Sequence, residues 1–259
     1  MAPAAPKLQV RGLGQRFDDI QALRAVDLHV AEGEFVAVVG PSGCGKTTLL
    51  HILAGLQQPA AGEVLVDGAA DRQRLGAVGL MPQRDCLMPW RTVLDNVTVG
   101  LELAGMSRAA ARDRARGELD RFGLAGFEDR WPTALSSGMR QRAALLRTFL
   151  AGREVLLLDE PLGALDALTR QRMQSWLLEL AAAERKTVLL VTHDVDEAVF
   201  LADRVYVLSE RPGTVVLEAR VDLPRPRDPG VVVTPEFAAV KARLLAPLMA
   251  EGRSAEAAR

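Results

Sequence analysis

At 259 residues the chain is long enough for one large domain or for a domain with subdomains. Apolar content of 49% and charged content of 25% are ordinary for a soluble globular protein, and nothing in a net charge of −1 suggests a nucleic-acid footprint or a general attraction to anionic lipid. No apolar run approaches the roughly 18 residues of a membrane span. Met1–Lys7 lacks the apolar core of a signal peptide and reads as a short disordered lead. Cys44 and Cys86 do not make a disulfide framework and are expected as reduced thiols in a cytoplasmic protein.

Leu8–Val10 and Ala25–Val30 alternate in part, as half-exposed strands do, and Asp18-Asp19 between them suits a turn. Glu34–Val39 is a short apolar run expected as a buried strand. It leads into Gly40-Pro41-Ser42-Gly43-Cys44-Gly45-Lys46-Thr47, which fits the phosphate-loop pattern G-x-x-x-x-G-K-[ST] without a mismatch. Such a turn exposes backbone N–H groups around one concavity, and the helix that follows, Thr48–Gly55, aims its N-terminus into it. A triphosphate is the expected ligand, with Lys46 on its outer phosphates and the Thr47 hydroxyl on Mg²⁺. The chain has only four lysines, at 7, 46, 186 and 241, among 32 basic residues, and one stands where this motif needs it. Glu63–Gly68 reads as another strand ending in a turn, and Ala77–Met81 as a short apolar strand.

From about Met88 to Gly152 the pattern turns helical. Ser107 is placed to cap a helix with Ala111, Ala115, Leu119 and Phe122 on one face and Gly123 at its end. Ser136 is placed to cap a second helix through Arg142 to Leu150. Glu154–Asp159 and Thr187–Thr192 are continuous apolar runs typical of strands buried on both faces of a parallel sheet. Met173, Trp176, Leu177 and Leu180 make a helical stripe between them. Ala202–Leu208 and Thr214–Val221 suggest a hairpin around Arg211-Pro-Gly213, Pro224–Gly230 a linker, and Pro235 to about Glu251 a final helix that frays into an Ala/Glu/Arg tail.

A triphosphate site that cleaves needs a carboxylate for Mg²⁺ and a group to activate water. Asp159-Glu160 supplies both at the end of a buried strand, Asp159 toward the metal and Glu160 toward water as general base. His193 ends the next strand, where a neutral imidazole reaches a γ-phosphate, whereas His29 and His51 are expected to be structural.

Leu135-Ser136-Ser137-Gly138-Met139-Arg140-Gln141-Arg142 resembles the signature motif of the ATP-binding-cassette ATPases, usually L-S-G-G-Q. Other pieces of that family follow in order: Phe17 where an aromatic stacks on adenine, Gln83 in the glutamine loop, Asp159-Glu160 as the Walker B pair, Gly163–Asp166 as the D-loop, and His193 as the switch histidine. The resemblance covers residues 8 to about 223. It implies an α/β fold: a P-loop NTPase (RecA-like) core, an antiparallel β subdomain and an inserted helical subdomain at about 88–152, with 224–259 as linker and C-terminal helix. It implies ATP and Mg²⁺ as ligands, Lys46, Gln83, Glu160 and His193 as catalytic groups, and Thr47, Gln83 and Asp159 as the metal set. Nucleotide would contact Phe17, Gly40 to Thr48, Ser136 to Met139 and Asp166. Ser137 and Met139 depart from the usual glycine and glutamine, but Ser136 and Gly138 keep a hydroxyl and a helix N-terminus for phosphate.

In the family the site is split between a head-to-tail pair of chains, so Gly40–Thr48 of one copy would face Ser136–Met139 of the other. The single cassette, the run Met81–Val97 and the tail Arg211-Pro-Gly213 with Asp222–Arg227 are similar to an importer group for nitrate, sulfonates, taurine and thiamine-pyrimidine precursors. That resemblance implies a peripheral protein on the cytoplasmic face of the bacterial inner membrane. Its permease would dock near residues 83–105, with Asp85, Cys86, Leu87, Met88 and Trp90 as candidates, and a periplasmic solute-binding protein would act indirectly. A soluble non-transport ATPase and a non-hydrolysing regulatory cassette remain as alternatives. No nucleic-acid partner is expected.

Overall fold

The computed structural model describes residues 6–70 and 74–257; most of the expected N-terminal lead lies outside them. Three antiparallel strands open the fold, β1 (Leu8–Phe17), β2 (Ile20–Val30) and β4 (Ala61–Val66), in the order β2-β1-β4. The first two are longer than their alternation suggests. Register shifts between Val10 and Leu13 and again before Arg16 break the period of two, so a continuous strand reads as a fragment. Asp18 turns the chain with a φ of +48°.

The second sheet holds β3 (Phe35–Val39), β5 (Gly79–Met81), β6 (Val155–Asp159), β7 (Thr187–Thr192), β8 (Arg204–Leu208) and β9 (Val215–Arg220), ordered β5-β6-β7-β3-β8-β9. All pairings are parallel except the β8–β9 hairpin at one edge. β3, β6, β7 and β8 are buried at every residue, which is why each is apolar apart from polar residues at its ends. β3 divides the interior: Val36 and Val38 face a core shared with the antiparallel sheet, while Phe35, Ala37 and Val39 face the core under the helices.

α1 (Lys46–Leu53) follows β3. The helical insertion is α2 (Val93–Val97), α3 (Val99–Leu103), α4 (Arg108–Leu119) and α5 (Ser137–Leu150). Ser107 Oγ accepts the Ala110 N–H and Ser136 Oγ the Met139 N–H, so both serines cap their helices. Ala111, Ala115 and Leu119 are buried, and Phe122 continues their face from the turn beyond α4. Phe122 packs edge-on against Trp176 of α6 (Ala167–Ala183), with ring centroids 4.2 Å apart, and so joins the insertion to the core.

α7 (Val195–Leu201) and α8 (Pro235–Ala257) complete the chain. The stretch 224–230, expected as a linker, is pinned to the body. The buried Arg227 guanidinium donates to the carbonyls of Val199, Phe200 and Ala202 at the end of α7 and to Val221. A cation there satisfies carbonyls that a helix leaves unpaired. Burial pulls this guanidinium down to about 10. α8 runs past the expected Glu251 and buries Phe237 and Leu244. Among the described residues no helix is long and apolar enough to cross a membrane. Replacing Arg227 with Met strands these carbonyls in the interior. It should lower unfolding free energy by about 2–3 kcal/mol, read from the urea midpoint at unchanged slope.

Candidate active site

The loop between β3 and α1 carries the first groups. Gly45 has a φ of +107°, and a Cβ there would stand 2.6 Å from the Leu23 side chain, so only glycine lets the loop close over β2. Lys46 is buried, and its ammonium donates to Gly40 O at 2.7 Å and Pro41 O at 2.8 Å, folding the side chain back over its own loop. Thr47 Oγ1 donates to Asp159 Oδ2 at 2.9 Å. Burial pushes the Asp159 carboxyl above its ordinary range; the Thr47 bond opposes this and the Glu160 charge adds to it. A buried carboxylate short of positive charge, with a hydroxyl on it, is a donor set that suits a hard divalent cation.

Glu160 follows β6 in the left-handed region, φ +48°, a conformation that costs a non-glycine residue about 1–3 kcal/mol. Its carboxylate is held on both oxygens: Gln83 Nε2 donates to Oε2 at 3.2 Å, and His193 Nδ1 lies 3.0 Å from Oε1. Its backbone is held by Gln141 of α5, whose Nε2 donates to Glu160 O at 2.8 Å and whose Oε1 accepts the Ala164 N–H at 3.0 Å. Gln141 is buried and lies within the signature stretch. Its role was not legible from the sequence, because only the packing of α5 on the loop after β6 sets where that amide points.

Lys46, Thr47, Gln83 and Glu160 line a cavity of about 370 Å³, with Asp159 and His193 bonded to its lining residues Thr47 and Glu160. Phe17, Ile20 and Ala22 form one wall, Ser42, Gly43 and Gly45–Thr48 the floor, and Gln83, Glu160 and Arg211 the remaining sides. Phe17 is 44% exposed, with its ring free at the rim. Cys44 lies beneath the loop, buried, its thiol pushed up by desolvation. Ser137 lies elsewhere, on a second cavity of about 570 Å³ with Arg140 and Gly163; Gln83 and Glu160 line both. Ser136, Gly138 and Met139 flank it at the start of α5. Asp166 caps α6 through the Thr169 N–H, a bond that also lowers its carboxyl below the ordinary range. Within one chain, then, the signature group and the phosphate loop border different cavities.

Residues 83–88 are tied to α5. Arg140 Nε pairs with Asp85, and Arg147 donates to the Asp85 and Cys86 carbonyls. Leu87 is buried in the core and Asp85 is engaged by Arg140, while Cys86 and Trp90 face outward. The turn after His193 holds Glu197, 4% exposed, with no partner for its Oε1 among the described residues. Burial pushes its carboxyl from 4.5 up to about 7; a Thr192 bond opposes the shift and the Asp194 charge adds to it.

A phosphate loop, the acidic pair of buried Asp159 and cavity-lining Glu160, and a parallel sheet whose strands end beside one cavity define a phosphate-loop nucleoside triphosphatase. The ABC transporter family model matches residues 23–163. A putative ATP-binding protein of Brucella abortus (strain 2308) is 48% identical over 239 residues, covering 92% of either chain. An aliphatic sulfonates import ATP-binding protein of Agrobacterium fabrum is 47% identical over 243 residues, 93% of this chain and 83% of that one. A solved bacterial ABC transporter cassette, in dimeric form, superposes with a TM-score of 0.76 at 32% identity, covering 84% of this chain and all of that one. Another, in a post-hydrolysis state bound to ADP and Pi, gives 0.75 at 31%. The chain belongs to the ABC transporter ATP-binding family and is an ATPase similar to the sulfonate-importer cassettes.

Gln141→Leu removes both clamps on the loop beyond Glu160. Phosphate-release kinetics should show kcat lowered about tenfold with the KM for ATP little changed, the signature of a group that acts only in the transition state. Glu197 generates a pH effect. The folded chain keeps a proton, between pH 4.5 and about 7, that the unfolded chain has lost. Its stabilisation is complete below that window and disappears as pH rises through it, by about 1.4 kcal/mol per unit of the gap. Thermal melts at about pH 5 and about pH 8 should show the parent losing stability that Glu197→Gln does not lose.

Proposed function

We propose that this chain is the ATP-hydrolysing subunit of a bacterial importer for a small solute, with aliphatic sulfonates the class that its relatives favour. One observation carries the hydrolytic part: Glu160, held by Gln83 and His193, borders the same cavity as Lys46 and Thr47. In this reading Lys46 exchanges the Gly40 and Pro41 carbonyls for the outer phosphates of ATP. Glu160 accepts a proton from the attacking water as the new bond to the γ-phosphorus forms and the bond to the bridging oxygen breaks. His193 keeps the Glu160 carboxylate aimed and faces the γ-phosphate. Thr47 and Asp159, with Gln83 beside them, would hold Mg²⁺, which supplies charge to offset the phosphate oxygens.

The separate cavity beside Ser137 supports a split site, in which Ser136–Met139 of a second copy close over Gly40–Thr48, Phe17 and Asp166 of the first. A helix N-terminus brought to the far side of the triphosphate would complete the charge clamp. The permease would dock on the surface around residues 83–105, where Cys86, Trp90 and Leu103 are exposed. The chain would then act at the cytoplasmic face of the inner membrane, with the periplasmic solute-binding protein reached through the permease. Glu160→Gln should hydrolyse at least about a hundredfold more slowly and sediment as a dimer with ATP, while Lys46→Ala neither binds nor dimerises. A Glu160→Gln chain that binds ATP and stays monomeric would overturn the split site, and unchanged turnover would overturn the role of Glu160.

A further inference from the structure

The turn between β8 and β9 has no part in the reaction above, yet it is built against the nucleotide cavity. The Ser209 hydroxyl bonds to Glu210 O at 2.9 Å and accepts the Thr214 N–H at 2.9 Å, closing the turn on itself. The Gly213 N–H donates to Ala22 O, and Arg24 N–H donates to Gly213 O, so the turn is joined to the wall strand β2. A Cβ on Gly213 would collide with the Cys44 carbonyl, which shows how closely this turn lies on the phosphate loop. From this base the Arg211 side chain reaches Gly43. Its Nε and Nη2 both donate to Gly43 O, at 3.1 and 2.9 Å. Arg211 lines the cavity with Lys46, Ser42 and Phe17, and among the described residues it forms no ion pair with a carboxylate.

A guanidinium carries five N–H donors in a fixed plane. One edge here is spent on a backbone carbonyl, which anchors the group without neutralising it. The remaining donors keep the fork geometry and full charge that match a phosphate oxygen. The anchor is Gly43, a member of the phosphate loop, so the charge sits at the phosphate end of the cavity.

We propose that Arg211 is a nucleotide-binding residue: its inner edge fixes the Gly43 carbonyl, and its outer edge takes an oxygen of the ATP phosphate chain. It adds a second cation to Lys46, from the β8–β9 turn, to which the resemblance assigned no nucleotide contact. The inference rests on the nucleotide site described above.

The test measures binding of ATP, ADP and adenosine to the full chain by displacement of a fluorescent ATP analogue. Arg211→Gln should weaken ATP and ADP about tenfold, the weight of one charge-assisted bond, and leave adenosine unchanged. Arg211→Lys, which keeps the charge but not the fork, should fall between. The KM for ATP should rise while kcat changes little. Raised salt should bring parent and Arg211→Gln together, as a screened charge contact requires. Unaltered ATP and ADP affinity, equal loss for adenosine, or a deficit insensitive to salt would each overturn the phosphate contact; the last would leave Arg211 as a brace for the loop. Failure of the parent itself to bind ATP would overturn the nucleotide site and not this assignment alone.

Discussion

The whole site depends on three parallel strands ending level with one another. Val39 of β3 pairs with Thr192 of β7, and Asp159 of β6 pairs with Val191 of β7, so their carboxyl ends leave the sheet along one edge. The phosphate loop, Glu160 and His193 are simply the next residues. Parallel sheets bind ligands at this edge because the loops there are free of the ladder while their roots are rigid. Burial of every residue in these strands makes the register costly to shift, since a slip of one would exchange the two cores that β3 separates.

What the strands do not fix is the position of the loops, and here long polar side chains act from neighbouring elements. Gln141 holds the backbone of Glu160, Arg140 and Arg147 hold the stretch after Gln83, and Arg211 holds Gly43. Each reaches over a gap that no backbone ladder spans, and most end on carbonyl oxygens. A loop bound in this way is ordered yet replaceable, because a bond to a carbonyl can be exchanged for one to a phosphate. Lys46, lying across Gly40 and Pro41, shows the same economy.

The arrangement also retains local strain. Glu160 occupies a left-handed backbone conformation, Asp159 is buried beside another carboxylate, and Glu197 keeps a carboxyl in the interior one turn beyond His193. The left-handed backbone and the ionised forms of these buried carboxyls do not stabilise the fold, and each lies within a few residues of the groups expected to handle phosphate. Strain and buried charge of this kind persist where the surrounding packing over-determines them, as the two cores do here.

Local chemistry made much of this legible. The phosphate loop, the acidic pair and His193 announce themselves because each needs particular residue types at close spacing, and the buried strands do so because they are apolar apart from their ends. The antiparallel strands were only half visible, since bulges in β1 break the alternation that marks a strand. The pinning of 224–230 was hidden, because Arg227 reads as a solvated charge until α7 is packed against it. Gln141 and Arg211 were silent for the same reason: a side chain's partner is a property of distant backbone, not of its neighbours in sequence. Sequence alone thus determined which chemical groups the protein carries and the order of its strands and helices. Tertiary structure decided which of those groups share a cavity, because that depends on strand register and on long side chains bridging elements far apart in the chain.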